Sequence, residues 1–149
     1  MARHNSLKDS KLRSFFNQAD VVTQCPEYIS FNFKFVSREN GNGQDFSEWN
    51  EEGIKELCSK LRDFSGKTVL ELKQDKSLVV YGDFPRNSAL HLPISLPENG
   101  LNWGRLRLDG KKRVAGFFLV EPPEMAKNVF YLVFLDAEHE FYPVEKKHT

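Results

Sequence analysis

Residues 103–135, which read WGRLRLDGKKRVAGFFLVEPPEMAKNVFYLVFL, decide the fold class of this chain. Arginine and leucine alternate within 103–108, and this period of two predicts a strand with one polar and one apolar face. Residues 113–120 and 129–135 are almost wholly apolar, as is typical of central strands that are covered on both faces. The dipeptide Asp109-Gly110 favours a hairpin turn after the first strand. The stretch therefore predicts a three-stranded antiparallel meander.

Two elements are predicted upstream of the meander. Residues 28–36, YISFNFKFV, alternate polar and apolar side chains, so we expect a strand whose apolar face lies on a core. Residues 46–64 are expected to form a helix, which Ser47 or Asn50 would cap and Gly66 would end. The apolar stripe of this helix consists of Ile54, Leu57, Cys58, Leu61 and Phe64.

The segment between that helix and the meander is less regular. Residues 67–74 fit either a short second helix, slightly favoured and capped by Ser65, or a strand. Residues 77–81 are a predicted strand, and prolines make 86–102 mainly irregular. The fold class is therefore α+β, with an N-terminal strand and then one or two helices packed on an antiparallel meander of three to four strands.

Length and composition limit the class of protein. The chain has 149 residues, and its 21 basic residues balance 21 acidic ones, so no global charge attracts nucleic acid or an anionic membrane. We expect a single domain over 21–149, preceded at 1–20 by a disordered or short helical arm. Cys25 and Cys58 form no CxxC pair and are expected to be free, buried thiols. Without a secretory signal or a membrane span, a cytoplasmic protein is expected.

Several enzyme classes lack their signatures in this sequence. It contains no GxGxxG, no GxxxxGK[ST], no HExxH and no GxSxG motif, which disfavours dinucleotide binding, phosphate-loop chemistry and the common hydrolase mechanisms. The four histidines share no metal-ligand spacing. We therefore expect neither a metal nor a cofactor.

A basic cluster remains on the predicted meander. Arg105 and Arg107 lie two residues apart on one strand and so share a face, and Arg113 opens the next strand across the turn. Lys111 and Lys112 add positive charge in that turn and allow a longer connection. Guanidinium groups bind phosphate bidentately and stabilise the charge that develops on a phosphorane. The cluster therefore indicates a phosphate-binding surface, with Arg105, Arg107, Lys111 and Lys112 as RNA-binding candidates.

Two residues near the C-terminal end supply acid–base chemistry. His139 can move protons near neutral pH, and Tyr142 offers a phenol three residues on. Together with Arg113 they would suffice for metal-free RNA cleavage, in which the neighbouring 2′-hydroxyl attacks the phosphate. An ordinary interpretation remains open, because alternating arginines often form a solvated sheet face and a histidine beside acids is often a surface residue.

The element order and residues 103–142 resemble the RelE/ParE-like toxins of bacterial type II toxin–antitoxin systems. The matching segments, WGRLRLDGKKRVAGFF and NVFYLVFLDAEHEFY, are similar to the family pattern of a basic strand, a turn, an arginine-led apolar strand and a last apolar strand. The ending LDAEHEFYP is similar to a branch of the family in which an Asp-x-x-His-x-x-Tyr tail closes the domain.

The resemblance implies a metal-independent endoribonuclease that acts on mRNA at the ribosome and is neutralised by a cognate antitoxin protein. By position, Arg105 and Arg107 match the basic pair of the first meander strand. Arg113, His139 and Tyr142 match the catalytic arginine and the terminal acid–base region. Some relatives inhibit DNA gyrase and cleave nothing, so a non-catalytic binding module, such as a gyrase inhibitor or a phage or plasmid regulatory factor, is the alternative.

Overall fold

The computed structural model describes residues 8–15 and 27–143. It contains three helices and five strands, which are α1 (8–15), β1 (Ser30–Asn32), α2 (Glu51–Ser65), α3 (Val69–Gln74), β2 (Leu78–Gly82), β3 (Leu101–Arg107), β4 (Arg113–Leu119) and β5 (Val129–Asp136). The strands form one sheet in the order β1-β5-β4-β3-β2, in which β1 runs parallel to β5 and all other neighbours are antiparallel. The protein is therefore α+β, as the sequence predicts, with a mixed sheet.

The predicted meander is present as β3, β4 and β5, with β2 added at its outer side. Arg107 lies opposite Arg113 at the hairpin end of β3 and β4. The connection is five residues long, because the lysines extend the turn and the amide of Lys112 donates to the carbonyl of Asp109 at 3.3 Å. This register decides which side chains share a face at the hairpin end.

Apolar side chains cover the sheet on both faces. The first face carries α2 and α3, and the core there includes Leu57, Leu72 and Leu106. The second face carries an aromatic cluster around Trp103 and Phe117, together with leucines from the irregular segment 83–100. Because both faces of the sheet are covered, β4 and β5 are almost wholly apolar. Within the described residues, no helix is long and apolar enough to cross a membrane.

The predicted strand over 28–36 is wrong beyond Asn32. The side chain of Asn32 accepts a hydrogen bond from the amide of Lys34, and a turn at Phe33 follows. Phe31 packs on Phe130 on the helix-bearing face, whereas Phe35 packs on Phe117 and Tyr131 on the other face. The aromatic alternation therefore marks a segment that crosses the end of the sheet, and Phe33 is left 46% exposed.

The helical region differs from its prediction in detail. Asn50 caps α2 through a 2.8 Å hydrogen bond from the amide of Gly53, and Gly66 ends the helix, as expected. Residues 46–48 form a separate 3-10 turn. Residues 67–74 contain the second helix, with Thr68 rather than Ser65 as its cap. Cys58 is exposed, so the expectation of a buried thiol is wrong for this residue, while Cys25 lies outside the described residues.

The N-terminal arm is described only in part. Residues 8–15 are helical and exposed, and the rest of the predicted arm at 1–20 lies outside the described residues. The five strands of the described residues belong to one sheet, and the single domain over 21–149 stays a prediction.

Two glycines face each other at the centre of the sheet. Gly104 of β3 pairs with Gly116 of β4, and the register shifts beside each of them, in β2 and in β5. A β-carbon at Gly116 would lie 2.0 Å from the carbonyl oxygen of Tyr131, and one at Gly104 would lie 2.7 Å from that of Val79. Close backbone approach at the two bulges therefore requires glycine at both positions.

We expect Gly116→Ala to lower the free energy of unfolding by ~2 kcal/mol or more, because the added methyl group displaces the backbone of β5. Gly66→Ala is the matched control, since its β-carbon would meet only the carbonyl of Asp63 at 3.6 Å and its φ is −86°. Urea denaturation measures both variants. Equal stability of the two would contradict the close approach at Gly116.

Candidate functional site

The candidate site lies at the hairpin end of the sheet, on the face opposite α2 and α3. Leu106 and Leu108 pack beneath the helices, so Arg105 and Arg107, which alternate with them, lie on the other face. Arg113 faces Arg107 across the β3–β4 pair and lies on the same side. We call this surface, made of Arg105, Arg107 and Arg113, the arginine face. The structure therefore brings the three predicted arginines together.

Arg113 is the most constrained of the three. Its Nη1 donates to the carbonyls of Gly110 and Lys112 at 2.8 and 2.9 Å, while its Nε is buried without a hydrogen-bond partner. Burial lowers the pKa of Arg113, and the charges of Arg105 and Arg107 lower it further. An arginine keeps its proton at any physiological pH, so this crowding concentrates positive charge on one small surface.

Arg105 is anchored at the edge of the sheet. Its Nη1 donates to the carbonyls of Lys76 and Ser77, at 3.3 and 3.2 Å, just before β2 begins. These contacts use neutral oxygens, so they hold the guanidinium without cancelling its charge. Arg107 is exposed at the end of β3.

Asp136 shapes the segment that follows β5. Its side chain is 1% exposed, and its two oxygens accept hydrogen bonds from the amides of Glu140 and Phe141, each at 2.8 Å. The chain turns tightly here, with His139 in the left-handed region at φ 58°. The Asp136 carboxylate therefore closes the turn that carries both terminal candidates, His139 and Tyr142.

His139 lies beside the arginine face. Partial burial lowers the pKa of its imidazole, and the charges of Arg113 and Arg105 act in the same direction, while Asp136 opposes them. The imidazole is therefore mainly neutral at neutral pH and can accept a proton. Phe141, two residues on, packs against Trp103 in the cluster of the second face, so the turn that carries His139 lies on the same side of the sheet as Arg105 and Arg113.

Tyr142 lies on the arginine side as well, stacked on a residue that the sequence reasoning missed. The rings of Tyr81 and Tyr142 are 4.2 Å apart and inclined by 6°. Tyr81 is the bulged residue between Val80 and Gly82 in β2. Tyr81 alternates with Val80 in the predicted strand 77–81, but the sequence does not show that its ring stacks on Tyr142.

The two lysines of the turn do not join the arginine face. Lys112 points to the helix-bearing side, where its Nζ lies 3.5 Å from a carboxylate oxygen of Glu56 and 5.7 Å from the ring centroid of Trp49. Lys111 forms an exposed ion pair with Glu138. The geometry therefore separates Lys112 from the other candidates and leaves Lys111 at the rim with its charge compensated.

Arg107 lines a depression of about 290 Å³ together with Lys60, Asp75 and Asp109. A depression of about 640 Å³ lies elsewhere, where residues 33–40 meet 45–48 beyond the β1 edge. Within the two described stretches, no group of three or more His, Cys, Asp or Glu side chains is placed to hold a metal ion. The side chains at or beside the arginine face include three guanidiniums, one imidazole and two phenols.

The pKa of His139 can be measured by following its ring protons by NMR as the pH is changed. We expect a midpoint below 6.5, because burial and two guanidiniums disfavour the imidazolium. In urea the midpoint should return to the ordinary value. Since the folded form binds its proton less readily, His139 should contribute less stability as the pH falls below 6.5. A folded-state midpoint at or above 6.5 would contradict this placement of the ring.

We expect Asp136→Asn to lower the free energy of unfolding by roughly 1–3 kcal/mol, because the new amide nitrogen faces a backbone N–H that has lost its acceptor. Glu138→Gln, which changes an exposed acid in the same turn, is the control and should cost less than about 0.5 kcal/mol. Thermal or urea unfolding measures both. Similar losses in the two variants would show that Asp136 does not close the turn.

Comparisons of this chain with protein-family models, with curated proteins and with solved structures find no match. Its function is therefore argued from the residues and from the geometry of the arginine face.

Proposed function

We propose that this chain is a RelE/ParE-like toxin that cleaves mRNA without a metal ion. The observation that supports the proposal is that Arg105, Arg107 and Arg113 share one face of the sheet with the terminal turn that carries His139 and Tyr142. Among the described residues, none of the three guanidiniums forms an ion pair with a carboxylate. Three clustered guanidiniums outnumber the Asp136 carboxylate that acts on Arg113, and this excess of positive charge suits the binding of an external anion.

The proposed reaction is an internal transesterification. The arginine face holds the scissile phosphate, and neutral His139 takes the proton of the neighbouring 2′-hydroxyl. The 2′-oxygen forms a bond to phosphorus, and the bond from phosphorus to the 5′-oxygen breaks. Tyr142 gives its proton to the leaving oxygen, and the guanidiniums stabilise the extra negative charge of the phosphorane. The products are a 2′,3′-cyclic phosphate and a 5′-hydroxyl.

The architecture is compatible with this proposal. A strand and two helices precede an antiparallel meander, as in the family pattern, although β2 and the irregular segment 83–100 stand between the helices and the meander. On this proposal the chain acts in the cytoplasm on mRNA at the ribosome, and a cognate antitoxin protein covers the arginine face. Such a partner would neutralise the charge that the fold itself leaves uncompensated.

One observation favours a second function, that of a non-catalytic binding module such as a gyrase inhibitor. The ring of Tyr142 is stacked on Tyr81 and is 42% exposed, as suits a contact with a macromolecular partner. On this view the same arginines bind an acidic surface and no bond is broken.

The proposal is tested by incubating the purified chain with single-stranded RNA and with translating ribosomes in the presence of EDTA. We expect cleavage that leaves a 2′,3′-cyclic phosphate. His139→Gln should slow it about 10²- to 10⁴-fold, since a general base is lost. The rate should hold down to a pH below 6.5, because the lowered pKa keeps the imidazole neutral there.

The matched controls separate catalysis from folding. Arg62→Gln removes an exposed guanidinium from α2 on the opposite side and should leave the rate unchanged. Tyr142→Phe keeps the stacked ring and removes the acid. Absence of cleavage on both substrates, with a folded protein, would refute the nuclease. If the chain is toxic to a bacterial host whose mRNA stays intact while its DNA is damaged, that result would favour the gyrase-binding function.

A further inference from the structure

A polar depression borders the arginine face at the corner where α2, the end of α3 and the β3–β4 turn meet. It has a volume of about 290 Å³ and is lined by Lys60, Phe64, Asp75, Lys76, Ser77 and residues 107–110. We call it the corner depression. Arg107 lines it and is also one of the three residues of the arginine face. Resting on the function proposed above, we propose that the corner depression binds a second phosphate of the RNA strand, next to the phosphate held at the arginine face.

Hydrogen bonds join the corner depression to the arginine face. The carbonyl of Ser77, which lines the depression, accepts the amide of Arg107 at 2.8 Å and the Nη1 of Arg105 at 3.2 Å. The carbonyl of Lys76 accepts from the same Nη1 at 3.3 Å. Two arginines of the face are thus anchored on two residues that line the depression. The two surfaces are therefore adjacent, as neighbouring phosphates of one strand require.

The corner depression carries an excess of positive charge. Each of its two acids, Asp75 and Asp109, has a lysine partner, at 3.0 and 3.4 Å respectively. Within the part of the chain that the structure describes, Lys76 and Arg107 form no ion pair with a carboxylate. The acids are therefore offset, and two further cations can contact an anion from solvent.

The turn after α3 fixes the backbone of Lys76 at the rim of the depression. Lys76 has φ 66°, and its amide donates to the carbonyl of Lys73 at 3.2 Å. One oxygen of the Asp75 carboxylate accepts the amide of Ser77 at 2.9 Å, and the other accepts the Nζ of Lys67 at 3.0 Å. Both oxygens of this acid are thus engaged within the protein, while Lys76 is exposed. Its ammonium can therefore serve a ligand.

The chemistry of the corner depression suits a backbone phosphate. Lysine binds phosphate as a point charge and arginine binds it bidentately, so Lys76 and Arg107 together can hold one phosphate from two sides. Proteins that bind single strands use a positively charged groove that follows the backbone. Phosphate contacts carry no sequence information. The depression should therefore raise the affinity for strands of several nucleotides without selecting a sequence.

The test measures the binding of a non-cleavable 2′-O-methyl oligonucleotide of about six nucleotides and of the corresponding dinucleotide, which has a single phosphate. For Lys76→Gln we expect the dissociation constant of the oligonucleotide to rise roughly three- to tenfold, because one charged contact is lost. The slope of log K against log salt concentration should become shallower by about 0.7. Binding of the dinucleotide should stay unchanged, because its phosphate lies at the arginine face.

Two control variants define the comparison. Lys127→Gln removes the same charge from an exposed lysine at the opposite end of the sheet, just before β5, and should leave the binding of both ligands unchanged. Arg113→Gln acts at the arginine face and should weaken the binding of both. If Lys76→Gln weakens the binding of a polyglutamate peptide and not that of the oligonucleotide, the depression is a protein contact and the inference is wrong.

The outcomes separate this inference from the proposed function. Cleavage by the wild type with unchanged oligonucleotide binding in Lys76→Gln would overturn the second phosphate site and leave the nuclease intact. Equal losses for the oligonucleotide and the dinucleotide would also overturn it, since Lys76 would then act on the arginine face or on the fold. A loss confined to the oligonucleotide, without cleavage by the wild type, would support the site and refute the nuclease. A folded wild type that neither binds nor cleaves RNA would refute both.

Discussion

Three guanidiniums lie together on one face of the sheet, where their charges repel one another. The register of β3 and β4 sets Arg107 opposite Arg113, with Arg105 two residues away on the same face. Burial lowers the pKa of Arg113, and the charges of Arg105 and Arg107 lower it further. A fold gains no stability from this arrangement, because like charges held together raise the energy of the folded state. An anion bound at the face would relieve that repulsion, which supports the proposed binding of a phosphate there.

The neighbouring groups offset only part of that charge. Asp136 lies opposite Arg113 in the β4–β5 register and opposes the lowering of the Arg113 pKa, while both of its oxygens accept backbone amides in the terminal turn. Glu138 is engaged by Lys111. Arg105 is held by the carbonyls of Lys76 and Ser77. Three guanidiniums thus lie near one buried carboxylate, and the face keeps an excess of positive charge.

The shared face of the arginines and the cap of α2 were predictable from the sequence, because both depend on local sequence signals. Alternation of arginine with leucine in β3, together with the Asp109-Gly110 turn, settles which side chains share a face before any packing is known. The cap at Asn50 is likewise a local signal, satisfied by the next turn of helix. The sequence pattern predicted these two features because each depends on residues that are close together in the chain.

What escaped the sequence depends on long-range packing. The aromatic alternation of 28–36 predicted a strand, but Phe35 lies on the second face because its ring packs against Phe117 and Tyr131 there. Lys112 turns to the helices because Glu56 and Trp49 lie near it. Tyr81 joined the site only through a bulge and through pairing with a strand that follows a long irregular segment. None of these neighbours is close in sequence.

The central claim is that the arginine face binds the phosphate of RNA. The most direct measurement is an NMR titration of the labelled protein with the non-cleavable 2′-O-methyl oligonucleotide, which follows the guanidinium Nε–H signals and the His139 ring. We expect chemical-shift changes that saturate at Arg105, Arg107, Arg113 and His139 and that weaken as salt is added. Shifts confined to the depression between residues 33–40 and 45–48, with the arginine signals unmoved, would contradict it.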